Sequence, residues 1–284
     1  MTTNSARRSS RNSTVAVVLI LARPLIAILL AGVVVAFLYL HAERQSTPVT
    51  HRAQRVTLSD EQQMQLGAQD YEQTLAEEQA NIVSSGEQYE MVQRVAKRIE
   101  AVASLDKPRF EWEVTLIRSK QVNAYALPGG KIIVYTSILP LTRNDAGLAT
   151  VLGHEVSHAT AEHAAERLRR DRMTDVAAAI LAGGVAFTPE QYVHVKVLLG
   201  AASTALSLPF SRDQESEADH IGLVYMARAG YQPREAVRFW QRMKRASKHD
   251  RPELLSDHPS DAHRIQRLRG WLPEAEHEYV APSS

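Results

Sequence analysis

With 284 residues, 44% of them hydrophobic and 23% charged, the chain is long enough for one sizeable domain and an appendage, and its 13 Gly and 12 Pro exclude collagen-like or low-complexity sequence. A formal net charge of +1 gives no general basis for binding nucleic acid. The charge is uneven: residues 1–42 hold Arg7, Arg8, Arg11 and Arg23 and no acid, leaving 29 of the 33 basic groups against all 32 acids beyond. The absence of cysteine excludes disulfides, thiolate metal sites, a cysteine nucleophile and an acylated cysteine anchor.

The run from Thr14 to Leu40 is apolar except for Arg23 and Pro24, and the unbroken part from Pro24 to Leu40 is just long enough to cross a hydrocarbon core. Arg23, at its border, is expected to snorkel toward the headgroups. The arginines before the span put the N-terminus on the cytoplasmic side and the remainder on the non-cytoplasmic side, periplasmic in a bacterium. Two alternatives compete: a cleaved signal peptide, disfavoured by the length of the apolar run and by the poor cleavage site at Leu40-His41-Ala42, and an organelle presequence, suggested by the Arg- and Ser-rich, acid-free first thirteen residues. The expected division is a cytoplasmic tip and membrane anchor at 1–42, a polar linker at 43–56, the main folded domain at 57–272 and a C-terminal tail at 273–284.

Residues 58–102 read as helical, with Ser59 or Asp60 as N-cap and a break at Ser84-Ser85-Gly86. Alternation in 110–117 and the β-branched run 131–138, preceded by Pro128-Gly129-Gly130, predict a small antiparallel sheet. Asn144 is placed to cap a long helix running past Glu166 to a basic stretch at Arg167–Arg172. Two apolar patches, 176–187 and 195–210, suit core or interfacial packing. A further pair of helices spans 211–244, broken at Gly230-Tyr231-Gln232-Pro233. The fold class is therefore α+β and mostly helical.

Inside the helix capped by Asn144 stands His154-Glu155-Val156-Ser157-His158. Histidines four apart lie about 40° apart around a helix, so both imidazoles reach one ion, with Glu155 beside the open position. This is a zinc-hydrolase signature. A catalytic zinc takes three protein ligands and leaves the fourth place to water, so one more His, Asp or Glu is required. Ala164 occupies the place where a metzincin carries its third histidine. Glu215 and Asp219, four residues apart on one helical face, are candidates for the third ligand and for a carboxylate orienting a ligand imidazole.

Four segments resemble the HtpX- and BepA-like and prenyl-endopeptidase-like gluzincin metallopeptidases, metallopeptidase family forty-eight: Asn123–Gly130, Gly153–Ala159, the Ser-Arg-x-x-Glu-x-x-Ala-Asp run at 211–219, and Ser256-Asp257-His258-Pro259. The resemblance covers residues 57 to about 272. It implies a zincin-type domain with a small sheet beside the His-Glu-x-x-His helix. It also implies one zinc held by His154, His158 and Glu215, with Glu155 as general base and Asp219 behind a ligand; Glu217 competes for the third-ligand role. His258 is the candidate oxyanion donor, and His163, His194, His220, His249, His263 and His277 are expected to be structural or solvated. Asn123, Ala124, Leu127, Gly129 and Gly130, with the strand 131–137, are the expected edge for an extended substrate.

These expectations describe a membrane-anchored zinc endopeptidase whose partners are polypeptide substrates, unfolded or membrane-associated, and membrane lipid through the anchor. Quality control of membrane or envelope proteins is the expected role. Prenyl-protein processing fits less well, because that branch has many spans. The alternative is an inactive, zinc-stabilised holdase or adaptor, which has no need of a general base between its ligands.

Overall fold

The computed structural model describes residues 3–186, 188–246, 254, 258 and 263–281, without the side chains of 3–21, 196 and 199–210. The side chains of Arg7, Arg8 and Arg11, most of the second apolar patch, His249, and Ser256, Asp257 and Pro259 lie outside the described residues. The chain divides into two compact units, residues 1–43 with 167–208 and residues 44–166 with 209–284.

The first unit contains α1 (Thr3–His41). Its segment Ala22–His41 is long and apolar enough to cross a membrane, with Leu25, Leu29 and Leu40 more than two-thirds exposed or nearly so. Arg23 does not stand free at the border of this run: its Nη2 donates to the carbonyls of Gly183 and Ala186, at 3.0 and 3.1 Å. Those carbonyls close α6 (His163–Val185), whose terminal carbonyls favour a cation.

The second unit opens with an ordered hairpin where a polar linker is expected, β1 (Glu43–Ser46) paired with β2 (Ala53–Val56). Then α2 (Asp60–Glu77) starts at Ser59, whose side chain accepts from Gln62 N while the Gln62 side chain accepts from Ser59 N. After β3 (Ile82–Val83), Gly86 takes φ 98° and opens α3 (Glu87–Asp106), which buries Val92, Val95, Ala96, Ile99 and Ala103 along one stripe. The sheet comprises β3, β4 (Glu113–Ile117), β5 (Ala124–Ala126) and β6 (Lys131–Tyr135), in the order β3-β4-β6-β5. Two pairings are antiparallel as expected, and the third, β4 with β6, is parallel. The run 131–135 is therefore an interior strand, and the free edge expected there belongs to β5.

Both faces of β6 are covered, which is why its sequence is continuously apolar rather than alternating. Ile132 and Val134 join the main core with Leu148, Leu152, Ile221, Tyr225 and Phe239, while Ile133 and Tyr135 pack with Tyr71 of α2. The short α4 (Leu139–Thr142) precedes α5 (Asp145–Thr160), which Asn144 caps by accepting from Gly147 N at 2.8 Å. The helix expected to continue past Glu166 stops here. Glu162 takes φ 53°, and its buried carboxylate is held by Lys107 and by Gln63 Nε2, which turns the chain before α6 begins. From there α7 (Pro189–Arg228), α8 (Arg234–Ala246) and α9 (Arg264–His277) complete the fold. The expected tail is in part the end of α9, where Ala275 is fully buried and Val280 N bonds Ala227 O at 3.2 Å.

Candidate metal centre and active site

Helix α5 carries His154, Glu155 and His158, and α7 carries Glu215, Glu217 and Asp219. These helices meet backbone to backbone at Gly153 and Gly222, where a Cβ on either glycine would come within 2.8 Å of the other helix's main chain. The close approach brings Glu215 to the two histidines.

His154 Nε2 lies 3.2 Å from His158 Nε2 and 3.3 Å from Glu215 Oε2, and His158 Nε2 lies 3.5 Å from Glu215 Oε1. His258 joins them, its Nδ1 3.2 Å from His154 Nε2 and 3.1 Å from both Glu215 oxygens. One donor atom from each of the four falls within 4.8 Å of the others. Nitrogen and oxygen ligands on a tetrahedral zinc sit ~3.3 Å apart, given bonds of 2.0–2.1 Å. The observed spacings match that, and three imidazole nitrogens converging on one carboxylate form a donor set that a divalent cation satisfies. His258, expected opposite the metal as an oxyanion donor, stands among the donors.

Burial pushes the Glu215 carboxyl up, but His158, His154 and His258 reverse this and hold it well below the usual range. His158 is driven well below the ordinary imidazole value by burial, so it stays neutral despite Glu215. Burial opposes a charge on His154 too, and there Asp219 and Glu215 win and raise its pKa. His154 Nδ1 lies 3.1 Å from Asp219 Oδ1, which also accepts from Arg264 Nη2 at 2.6 Å. Arg264 lies over the Trp240 ring at 3.4 Å. Burial raises the Asp219 pKa, but Arg264 and His154 together bring it below the ordinary value.

Glu155 is 1% exposed, and its Oε1 has no hydrogen-bond partner among the described residues. Burial raises its pKa against the opposing effect of His258 and His154, and the main-chain N–H of Ala126 favours its charged form. His258 Nε2 is 3.5 Å from Glu155 Oε1. Glu155 therefore lies between the donor cluster and the edge strand β5. Of the expected substrate residues, Asn123 is buried and its Oδ1 accepts from Ala124 N at 2.9 Å, at the start of β5. Leu127, Gly129 and Gly130 form the β5–β6 turn, with positive φ at both glycines and Gly129 close against Met64. Ala126 is the residue of this segment that meets Glu155, and the sequence pattern does not single it out.

Glu217 is engaged away from the donors. It meets His163 Nε2 at 3.1 Å and Arg52 Nε at 2.7 Å through Oε2, and accepts from the Thr47 and Thr50 hydroxyls through Oε1. Burial raises its pKa, but His163, Thr50, Thr47 and Arg52 bring it down to about 2. His163 in turn places Nδ1 2.9 Å from His158 Nδ1. Sequence reasoning passed over this buried histidine because, on one uninterrupted helix, position 163 faces away from 158; the turn at Glu162 brings it back.

A mostly helical α+β fold, with a small sheet beside a His-Glu-x-x-His helix and a carboxylate from a second helix, defines a zincin-type metallopeptidase. The model for peptidase family M48 matches residues 87–272, and the chain belongs to that family. It is similar to the mitochondrial metalloendopeptidase OMA1 of Saccharomyces cerevisiae, 31% identical over 267 residues, which are 88% of this chain and 75% of that protein. It is 39% identical over 187 residues to the OMA1 of Schizosaccharomyces pombe, covering 65% of this chain and 53% of that one. With the beta-barrel assembly-enhancing protease of Yersinia pestis it shares 28% identity over 174 residues, 59% of this chain and 36% of that protein. The chain thus spans from about a third to three quarters of the length of these relatives.

Proposed function

We propose that the protein is a membrane-anchored zinc endopeptidase that hydrolyses peptide bonds in extended or misfolded polypeptides, with its catalytic body on the non-cytoplasmic side. The observation that carries this reading is the donor set at zinc-ligand spacing with the buried, half-partnered carboxylate of Glu155 beside it. His154, His158 and Glu215 would hold the metal. When bound, zinc supplies Lewis-acid polarisation of the scissile carbonyl and of the attacking water.

Glu155 accepts the proton of that water as its oxygen bonds to the carbonyl carbon, then returns the proton to the amine nitrogen as the C–N bond breaks. Its raised pKa suits both steps, and its place beside Ala126 aims it at a chain lying along β5. A substrate strand paired with that edge is held by main-chain bonds, so many sequences are accepted provided they are unfolded. Clearance of damaged membrane or envelope proteins is the task this selects.

Four protein donors leave no place for water, whereas a catalytic zinc keeps one open. His258 is the donor that yields: the other three are fixed on α5 and α7, and His258 lies in neither helix. Its Nε2 lies 3.5 Å from Glu155 Oε1, and once displaced from the donors the imidazole would serve as a donor to the developing oxyanion.

The experiment is Glu155→Gln in the full-length chain. Zinc should be retained and cleavage of an unfolded protein such as casein should fall by about 10²–10⁴-fold, the usual contribution of a general base. Uncleaved polypeptides should then co-purify. Parental turnover in that variant would remove Glu155 from the mechanism.

A further inference from the structure

His158 offers Nε2 to the donor cluster, so that nitrogen carries the lone pair and the ring proton sits on Nδ1. Nδ1 is 2.9 Å from Nδ1 of His163, which therefore accepts. The His163 proton is then on Nε2 and is donated across 3.1 Å to Glu217 Oε2. An ionised carboxylate only accepts, so the bonds run in one direction, from His158 through His163 to Glu217, and both tautomers are fixed.

Glu217 is fixed in its turn by residues far away in sequence. Arg52 Nε donates to Oε2 at 2.7 Å, Thr47 Oγ1 donates to Oε1 at 2.7 Å, and the Thr50 hydroxyl donates to the same oxygen. Arg52 also clasps Glu166 through Nη1 and Nη2, at 3.1 and 2.9 Å. Thr47, Thr50 and Arg52 all belong to the turn between β1 and β2, which Thr47 N closes by bonding Arg52 O at 3.0 Å. That hairpin begins at Glu43, directly after the apolar helix ends at His41.

We propose that His163 and Glu217 are positioning residues for the metal ligand His158. The turn 47–52, within the hairpin that follows the apolar N-terminal helix, locks them, so that zinc affinity depends on this turn. The proposal rests on the reading of His154, His158 and Glu215 as metal ligands. Its physical content is that a ligand imidazole binds well only when its distal nitrogen is held. Displacing the turn removes three donors from Glu217 at once, leaves its charge without a partner cation, and frees the His163 ring to rotate. A movement or cut of the chain between the apolar helix and β2 would thereby loosen the metal.

The test measures zinc dissociation constants by chelator competition on the detergent-solubilised full chain, with the thermal midpoint of the zinc-free protein measured alongside. His163→Ala and Glu217→Ala should weaken zinc binding about 10–100-fold, the range for loss of a group that orients a metal ligand. Glu217→Gln keeps an oxygen for His163 Nε2–H and should restore most of the loss seen in Glu217→Ala. Arg52→Ala, at a side chain one-third exposed, should weaken binding by about 3–10-fold. Combined with His163→Ala it should add nothing, because Arg52 acts through that ring. A merely structural role would lower the zinc-free midpoint and leave the dissociation constant unchanged. If His163→Ala does not fold, Arg52→Ala carries the test. Parental zinc affinity in whichever of these variants folds overturns the inference alone; a parent chain that binds no zinc overturns the ligand reading, and the inference with it.

Discussion

Gly222→Ala should disable the metal centre without touching any donor. A methyl group at Gly222 would lie 2.8 Å from Gly153 C and from His154 N, and 2.9 Å from Gly153 O. All three are main-chain atoms of α5, so no side-chain rotation relieves the clash. An ordinary carbon contact needs ~3.5 Å, so the two helices must part by about 0.7 Å. Metal–ligand distances tolerate only ~0.2 Å. Because Glu215 and Asp219 ride on α7 while His154 and His158 ride on α5, the separation opens the donor set along its most constrained direction. Zinc affinity should fall by at least the 10–100-fold that loss of a supporting group causes. Stability falls as well, because the clash is with main chain: an overpacking cost of at least about 1–3 kcal/mol outweighs the gain of about 1 kcal/mol from replacing a helical glycine. Gly270→Ala is the control: it lies within α9, and nothing stands within 4 Å of its added methyl. That change should raise stability by about 0.5–1 kcal/mol and leave zinc binding unaltered. Chelator competition and thermal unfolding of the three proteins separate the two effects. A Gly222→Ala chain that binds zinc as the parent does would refute the argument that this glycine pair sets the distance between the ligand helices.

Asp219→Ala should retain some zinc and lose about 10–100-fold in affinity or turnover, because His154 Nδ1 loses its acceptor and Arg264 its counter-charge; elemental analysis and casein cleavage check it. Chelation should leave the domain folded, since its core does not depend on the metal, but restoring zinc to 100 times its dissociation constant should add about 2.7 kcal/mol, a rise of about 5–10 °C in midpoint. As the chain lacks cysteine, a single Leu105→Cys, at a side chain 80% exposed, should react with a membrane-impermeant maleimide added to intact bacterial spheroplasts. Labelling only after lysis would reverse the orientation inferred from the arginines before the span.

Features with local causes were legible in the sequence. The cap at Asn144, the N-cap at Ser59, one of two candidates, the break before Gly86 and the paired-glycine turn are each set by a few adjacent residues. So is the face shared by His154 and His158. Features with distant causes were not. The turn at Glu162 depends on Lys107 and Gln63, 55 and 99 residues earlier, and without it α5 and α6 read as one helix. The hairpin 43–56 has no hydrophobic period to announce it, and its turn is ordered by Glu217 and Glu166. That β6 is interior follows from the parallel pairing with β4, which no stretch of sequence encodes by itself. The entry of His258 into the donor set joins positions 104 apart.

The run Glu215-Ser216-Glu217-Ala218-Asp219 concentrates three carboxylates in five residues of one helix, an arrangement that repels itself unless each acid finds its own partners. Residues two apart on a helix point about 200° apart, and residues four apart about 40°. Glu215 and Asp219 therefore address His154 from one side, at its Nε2 and Nδ1, while Glu217 reaches His163 from the other. Arg264 serves two of the charges, Asp219 at 2.6 Å and, beside the imidazoles, Glu215 at 3.7 Å, and Arg52 meets Glu217. Both histidines are thus held from behind, His154 by a carboxylate directly and His158 by a carboxylate that reaches it through a second ring. The two arginines that face these acids lie 212 residues apart in the chain, Arg52 in the turn that follows the apolar helix and Arg264 at the start of α9. The donor cluster and the groups behind it thus draw on residues near both ends of the second unit, although the His-Glu-x-x-His run occupies five residues of one helix.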